Sequence, residues 1–330
     1  MDCCPCRWKG GSKLDTQRHS NSSVIISNDG RYLDKAIKKT TQLYLLAKNE
    51  DVEIIRQNIA ADRVFQIQGE KEYGMEFFYI LDGQIHYPRE DRVLSAGDSI
   101  SVQSVTGEAY FKTLTDVSVL YITTAPVFED QREEIQRLVS LNDEVAERDQ
   151  QTDEHCRRLQ DLSRKTAEAL GLDDREIFSL GYASFLHDIG KSKVPVAILQ
   201  KPGKPSDEEW AILKQHSKWG RDLILEHLRS PMFRRVAEIV HQHHERYDGG
   251  GYPQGLRGEE ILTEAQILAV VDAYDAMTCD RPYRAGMARE DALEELRACS
   301  GTQFSPRVVE AFLRIEQQVH CTSVKDIGVR

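Results

Sequence analysis

No apolar stretch of the sequence approaches the roughly 18 residues that a helix needs to cross a bilayer, which argues against an integral membrane protein. The N-terminus also lacks the apolar core of a signal peptide, so we expect a cytoplasmic protein. Basic residues are in deficit, with 43 Lys and Arg against 54 Asp and Glu and a net charge of -11. This charge argues against nonspecific binding to nucleic acids or to membrane surfaces. It does not argue against a small anionic ligand, because a metal and local arginines can outweigh the global charge.

Cysteine spacing provides no disulfide framework. The seven cysteines are odd in number, three of them (Cys3, Cys4 and Cys6) crowd the N-terminus, and the others are scattered. A reducing compartment fits this pattern. The N-terminal cluster could bind a metal or sense redox state, but no second cysteine pair is nearby to complete four ligands. The alternative is a disordered tail over residues 1–23, which are rich in Ser, Gly and Lys.

The length of 330 residues and the hydrophobic content of 40% indicate two domains with real cores. Residues 34–46 have the pattern of a short amphipathic helix. Beyond them, short segments rich in β-branched and aromatic residues alternate with glycine turns and predict strands. These segments are 64–67, 77–81, 84–87, 99–102 and 117–122. Many short strands at near-regular spacing predict a sandwich or small barrel.

The region 24–127 resembles a cupin-like β-barrel. Glu76 followed by Gly83 matches the end of the first cupin motif, and Ala96-Gly97-Asp98 resembles the turn that opens the second. The histidines that bind metal in cupin enzymes are missing, and His86 is predicted to lie on a strand face. The segment also resembles a cyclic-nucleotide-binding roll, but the phosphate-binding cassette of that family is not recognisable. We therefore expect a sensory or dimerising barrel without chemistry of its own.

The charged segment 128–150 predicts a connecting helix. Its apolar positions fall near a heptad seam, which favours pairing with a partner helix in a homodimer, and a solvated linker helix is the alternative. The seam residues are Ile135, Leu138, Asn142 and Val145. From residue 151 to 330 every segment has the pattern of helix or loop, so we expect an all-α domain. Within it, Ser206 and Glu209 form a capping box that predicts a helix start.

Histidines and aspartates recur along the second half in a pattern typical of a metal site. The candidates are His155, His187, Asp188, His216, His243, His244 and Asp272. A single histidine is more often a satisfied core residue, but adjacent His-Asp and His-His pairs together rarely arise by chance. Nitrogen and oxygen ligands suit Fe, Mn, Co or Zn better than Ca or Mg. Two metals bridged by Asp188 would hold a hydroxide between them and serve phosphoester hydrolysis.

The order of these motifs resembles the HD-GYP branch of the HD-type phosphohydrolases, which cleaves cyclic dinucleotides. The resemblance extends over residues 149–314, half of the chain. The matching motifs are Asp149-x-x-Thr152-x-x-His155, His187-Asp188-Ile189-Gly190-Lys191, His216 with Gly220, His243-His244-Glu245-x-x-Asp248-Gly249-x-Gly251-Tyr252-Pro253, Asp272-x-x-Asp275-Ala276-Met277-Thr278 and Arg281-Pro282-Tyr283-Arg284. The fold it implies for the whole chain is an N-terminal all-β cupin-like barrel followed by an all-α HD-type domain.

The resemblance also implies a role for each matching residue. One metal would be held by His155, His187, Asp188 and Asp272, and the other by Asp188, His216, His243 and His244. Lys191 would orient the phosphate or help protonate the leaving oxygen, with a surface charge as the alternative. Arg281 and Arg284 would bind phosphate or guanine, with a structural salt bridge as the alternative. Gly251 and Tyr252 would lie in the substrate loop, which the family also uses to contact signalling partners.

One position departs from the pattern. Some family members hold a third metal with a Glu four residues before the first His, and here that residue is Gln151. We therefore predict two divalent metals, Fe or Mn, with Zn, Co or Ni as ions acquired on purification. The predicted substrate is cyclic di-GMP and the predicted product is linear pGpG, with further cleavage to GMP left open. Two alternatives remain: an HD-type hydrolase of another cyclic dinucleotide or nucleotide, and a non-catalytic sensor.

Overall fold

A computed structural model describes residues 31–38, 40–68, 74–103, 108–149, 153–228, 230–279 and 286–327. Several sequence predictions lie outside these residues: the N-terminal tail with Cys3, Cys4 and Cys6, and the positions of Gln151, Arg281 and Arg284. The chain divides into two compact units, with the boundary between Leu138 and Val139. No helix of the described residues is long and apolar enough to span a bilayer.

The described residues of the first unit form ten strands in two antiparallel sheets. The strands are β1 Asp34–Lys38, β2 Thr41–Lys48, β3 Glu53–Ile59, β4 Val64–Gln68, β5 Met75–Asp82, β6 Gln84–Tyr87, β7 Arg92–Ser95, β8 Ser99–Gln103, β9 Glu108–Thr113 and β10 Val117–Thr123. One sheet has the order β1-β2-β3-β10-β5-β8 and the other β4-β9-β6-β7. This confirms the all-β prediction, and two such sheets around one core are consistent with a cupin-like barrel.

The core between the two sheets follows from alternation along the strands. Ile55, Ile80 and Ile85 come from three strands and have no exposed surface, while their sequence neighbours are half-buried or exposed. In β5 the alternation is regular, with Phe78 and Ile80 inside and Tyr79 and Leu81 outside. Period-two burial of this kind is what holds a strand in one register, since a shift of one residue would expose the apolar set.

The predicted helix at 34–46 is wrong, because this segment forms strands β1 and β2. The two strands pair as a hairpin in which Asp34 lies opposite Leu45, and β2 continues the sheet by pairing with β3. Leu43, Tyr44 and Leu45 are all buried. A consecutive apolar run of this kind also fits one turn of a helix, so its periodicity does not distinguish the two structures. Pairing with β3, which the local pattern does not encode, decides the outcome.

Helix α1, Phe128–Asp149, forms where the charged connecting helix was predicted. The seam was predicted to pair with a partner helix, but Leu138 and Val145 are buried within the single chain. Ile135 packs against the barrel core. These side chains are therefore not available to a partner helix. The helix starts at a fixed point on the barrel, because the Glu53 carboxylate accepts hydrogen bonds of 2.9 Å from the backbone N–H groups of Val127 and Phe128.

The second unit is helical, as predicted. Its helices are α2 Asp153–Leu170, α3 Asp174–Leu186, α4 Val196–Leu199, α5 Asp207–Leu213, α6 His216–His227, α7 Phe233–Gln242, α8 Thr263–Thr278, α9 Arg289–Ala298 and α10 Pro306–Ile327. The Ser206–Glu209 capping box at the start of α5 is confirmed. Helix α6 was not predicted, although Trp219, Leu223 and Ile224 lie at helical spacing. The core of this unit contains Phe233 on α7 and Phe312 on α10, both fully buried.

Candidate metal centre

The candidate ligands sit mainly at the ends of helices, where side chains can turn toward a common point. His187 ends α3 and Asp188 follows it, just before a 3-10 helix at Ile189–Lys193. His216 begins α6, and His243 and His244 follow the last residue of α7. Since adjacent residues within a helix point in different directions, a pair of neighbouring ligands requires the helix to end at that place.

Two groups of possible ligand atoms result, each within 4.8 Å of one another. The first group is Asp188, His216, His243 and His244, and the second is His155, His187 and Asp272. All seven residues singled out in the sequence are thus brought together. Asp188 adjoins the second group as well, because its Oδ2 lies 3.2 Å from Nε2 of His187. Its role as a bridge between two metals remains a prediction.

Four of the imidazoles are oriented by a hydrogen bond at Nδ1. In three of them the partner is the backbone carbonyl three residues earlier: Ser184 for His187 at 3.1 Å, Leu213 for His216 at 2.7 Å and Val240 for His243 at 2.6 Å. In the fourth, Nδ1 of His155 lies 2.7 Å from Oδ2 of Asp275. A protonated Nδ1 leaves Nε2 with a lone pair, which is the arrangement that metal-binding histidines adopt.

The Nε2 atoms lie close to one another and to the Asp188 carboxylate, and a cation bound between them would supply their missing partner. Nε2 of His216 is 3.4 Å from Nε2 of His243 and 3.5 Å from Oδ1 of Asp188. Nε2 of His187 is buried and has no hydrogen-bond partner among the described residues. Buried polar atoms of native proteins usually have partners, and a donor set of imidazoles and carboxylates suits divalent transition metals. The residues present therefore fit a metal in each group.

The electrostatics of the first group favour the protonation states that bind metal. Burial lowers the pKa of His216, and burial with the neighbouring imidazoles lowers the pKa of His243 and His244 well below the usual range. Burial alone would also lower the pKa of His187, but the Asp188 carboxylate outweighs it and raises that pKa to about 9. Burial opposes ionisation of Asp188, but Lys191 and His187 hold its pKa well below the normal value. A metal bound to His187 would replace that proton.

Asp275 belongs to one of the matching sequence motifs, but no role in the site was predicted for it. Oδ2 of Asp275 accepts a hydrogen bond from Nδ1 of His155. Arg158 donates two further hydrogen bonds to the carboxylate, of 2.5 Å from Nε and 3.1 Å from Nη2. Burial opposes its ionisation, but these hydrogen bonds lower the pKa of Asp275 to about 2. Asp275 therefore stays charged and fixes the His155 ring. The available signal was its position three residues after Asp272, one turn along α8.

We expect Asp275→Asn to weaken metal binding at the group of His155, His187 and Asp272 by about 10- to 100-fold, as changes to partners of metal-bound histidines typically do. The amide has the size of the carboxylate but lacks the charge that holds His155 and Arg158. Metal content per chain, measured by elemental analysis after graded chelation, reports the change. Glu290→Gln, at an exposed position on α9, is the control and should leave the metal content unchanged.

Lys191 lies beside the first group, on the 3-10 helix after Asp188. Its Nζ is 2.8 Å from Oδ2 of Asp188, and its side chain is partly exposed. The amine therefore borders the candidate metal groups and retains access to solvent. A cation in this position can neutralise charge on a phosphate bound beside it.

The glycine-rich loop after His244 is held in place by hydrogen bonds to a buried carboxylate. The buried Glu245 accepts backbone N–H groups from Gln254, Gly255 and Leu256 at 2.6, 3.2 and 3.1 Å. A Cβ on Gly251 would lie 2.2 Å from the backbone nitrogen of Arg246, so only glycine allows this close approach. Gly251 thus shapes the loop. Tyr252 reaches the site, with its ring 4.9 Å from that of His244.

Comparison with known proteins agrees with this arrangement. A family model described as "HD domain" matches residues 140–308. A cyclic di-GMP phosphodiesterase of Thermotoga maritima is 40% identical over 215 residues, 64% of this chain and 58% of that protein. The cyclic di-GMP phosphodiesterase response regulator RpfG of Xanthomonas campestris is 33% identical over 278 residues, 84% of this chain and 71% of that protein.

A third relative has a different substrate in its name. The 3'3'-cGAMP-specific phosphodiesterase 2 of Vibrio cholerae is 37% identical over 185 residues, 56% of this chain and 35% of that protein. The chain thus spans less than two thirds of the Thermotoga relative and about a third of this one. The match to the family covers half of the chain and contains the five helices that bear or adjoin the candidate ligands, α2, α3, α6, α7 and α8. The chain therefore belongs to the HD-domain family, in the HD-GYP branch that its motifs predict.

Proposed function

We propose that this chain is a metal-dependent phosphodiesterase that hydrolyses cyclic di-GMP to linear pGpG. The observation that carries the proposal is the convergence of seven buried or half-buried His and Asp side chains into two adjacent ligand groups. Two divalent metals held there, Fe or Mn, would supply a nucleophilic water and neutralise charge on the phosphate. The relatives named as cyclic di-GMP phosphodiesterases support the choice of substrate.

The protein's own residues prepare the site for this reaction. The imidazoles of His216, His243 and His244 stay neutral because burial lowers their pKa, and backbone carbonyls at Nδ1 of His216 and His243 keep Nε2 directed into the site. Asp188 lies between the two groups and holds Lys191, whose ammonium group can bind a phosphate oxygen or protonate the leaving oxygen. The Tyr252 loop forms a further side of the site.

The proposal is tested by assaying the protein anaerobically after reconstitution with Fe(II) or Mn(II), because an oxidised iron pair could be inactive. Products are separated by chromatography and metals are counted in the same sample. Turnover with about two metals per chain supports a dinuclear phosphodiesterase, and the ratio of pGpG to GMP reports how far hydrolysis proceeds. Absence of turnover with two metals bound would contradict the proposal and favour a sensor of the nucleotide.

We expect Lys191→Ala to lower kcat for cyclic di-GMP by about 100-fold while both metals remain bound, since a positioned cation or general acid contributes about that much. Lys193→Ala is a matched control on the same 3-10 helix, where the lysine is exposed. Its kcat should stay within about twofold of the wild type. Equal kcat values for the two variants would show that Lys191 is a surface charge without a role in catalysis.

The relative named for 3'3'-cGAMP supports a second candidate substrate, the mixed cyclic dinucleotide. The two substrates differ in one base only, so the same phosphodiester chemistry serves both. A panel of cyclic di-GMP, 3'3'-cGAMP and cyclic di-AMP, compared by kcat/KM, separates them. A higher kcat/KM for 3'3'-cGAMP than for cyclic di-GMP would replace the substrate in the proposal and leave the reaction type intact.

We also propose that the barrel forms a homodimer through the outer face of β5. Met75, Tyr79 and Leu81 point outward there and are 44%, 38% and 44% exposed, beside the half-buried Leu120 and Ile122 of β10. Contiguous exposed apolar surface of this kind marks interaction sites. Light scattering should give a dimer for the wild type and a monomer for Leu81→Lys, with Val93→Lys on β7 as the control. A monomeric wild type would overturn the proposal.

A further inference from the structure

Trp210 is an exposed tryptophan on an ordered helix next to the candidate metal centre. It lies on α5 with 47% of its side chain exposed, although tryptophan is among the residues that gain most from burial. The helix is fixed at its start by the Ser206–Glu209 capping box, and Lys201 binds Glu209 at 2.6 Å. The indole is therefore presented to solvent by a well-anchored element.

Ring contacts connect Trp210 to the ligands. The Trp210 ring meets the edge of Tyr252 at 6.3 Å and 81°, and Tyr252 in turn lies 4.9 Å from His244 and 6.3 Å from His216. From the two centroid distances of 6.3 and 4.9 Å, the indole lies within about 11 Å of the His244 ring.

We infer that Trp210 is the stacking platform for one guanine base of the cyclic dinucleotide whose phosphate lies at the metal centre. The inference rests on the proposed function and names its base-binding residue. Purine bases stack on indole faces with a gain of about 1–3 kcal/mol per base. A base on Trp210 would lie on one side of Tyr252 and the ligand His244 on the other, because the Tyr252 ring contacts both.

A purely structural role for Trp210 makes a different prediction. If the indole only supported the Tyr252 loop, its removal would disturb Tyr252 and the adjacent His216 and His244. Metal content and kcat would then fall together. A base-stacking role instead changes substrate binding and leaves the metals in place, because Trp210 is not among the ligands.

The experiment compares Trp210→Ala, Trp210→Phe and a control, Ile212→Ala, an exposed apolar residue on the same helix. For metal-loaded protein, Trp210→Ala should raise the KM for cyclic di-GMP by about 10-fold or more, within the range that stacking allows. Its kcat should stay within about threefold, and the metal content should not change. Trp210→Phe should restore most of the affinity, because the phenyl ring keeps a stacking face, and Ile212→Ala should match the wild type.

Fluorescence adds a direct readout of the stacked base. The sequence has three tryptophans, at positions 8, 210 and 219. Cyclic di-GMP should quench the emission of the wild type, and Trp210→Phe should lose that quenching while still binding. An unchanged KM in Trp210→Ala, or a joint loss of metal and kcat, would overturn the inference and leave the phosphodiesterase proposal standing. A wild type that neither binds nor cleaves cyclic di-GMP would overturn both.

Discussion

Replacing Asp188 by alanine is expected to abolish hydrolysis of cyclic di-GMP, with turnover falling at least about 1000-fold. Asp188 is the carboxylate of the group with His216, His243 and His244, and its Oδ2 also faces His187. The alanine variant would leave the first group with imidazoles alone and remove a carboxylate that adjoins both groups. We expect its metal content to fall to one per chain or fewer.

The control for this variant is Asp291→Ala, an exposed aspartate on α9. It removes the same charge from the same helical unit and should leave turnover, metal content and melting temperature within error of the wild type. Circular dichroism should show the helical content of Asp188→Ala unchanged, so that lost activity is assigned to the site. Wild-type turnover in Asp188→Ala with two metals bound would contradict the dinuclear mechanism.

The clustering of the seven candidate ligands could be predicted because their identity and order along the sequence carry the information. A histidine followed by an aspartate, or by a second histidine, can serve a metal only where a helix ends, and His187 and His243 do follow the last helical turns. The sequence does not give the distances between these side chains in the folded protein. That Asp275 would face His155, 120 positions away, follows only from the packing of α2 and α8.

The errors in the prediction share a physical cause. Residues 34–46 carry apolar residues compatible with either helix or strand, and pairing of β2 with β3 decides the matter. The seam of α1 was interpreted as a dimer interface, yet Leu138 and Val145 are buried within their own chain. A local pattern shows that a face is apolar, but it does not show which partner covers that face. The helix start predicted at Ser206 places Trp210 on that helix, but the proximity of Trp210 to Tyr252 follows only from the tertiary fold.

Gly190→Ala is expected to cause a large loss of stability in the helical unit. A Cβ on Gly190 would lie 1.8 Å from the backbone oxygen of His216 and 2.5 Å from the nitrogen of Gly220. Both obstacles are backbone atoms of α6, so no side-chain rotation relieves the clash. The 3-10 helix and α6 must separate, at a cost of about 3 kcal/mol or more by analogy with strongly overpacked cores.

The same separation should damage the metal centre, because the 3-10 helix follows Asp188 directly and α6 begins with His216. These two ligands belong to one group, and their separation would lower both metal content and turnover. Urea denaturation of the metal-free protein measures the stability, and elemental analysis measures the metal. Gly181→Ala is the matched control: it lies inside α3, and a Cβ there would meet nothing within 4 Å. This change should stabilise the protein by about 0.5–1 kcal/mol, since alanine is the better helix former. If Gly190→Ala behaves like Gly181→Ala, then close contact between the 3-10 helix and α6 is not what keeps Asp188 and His216 together.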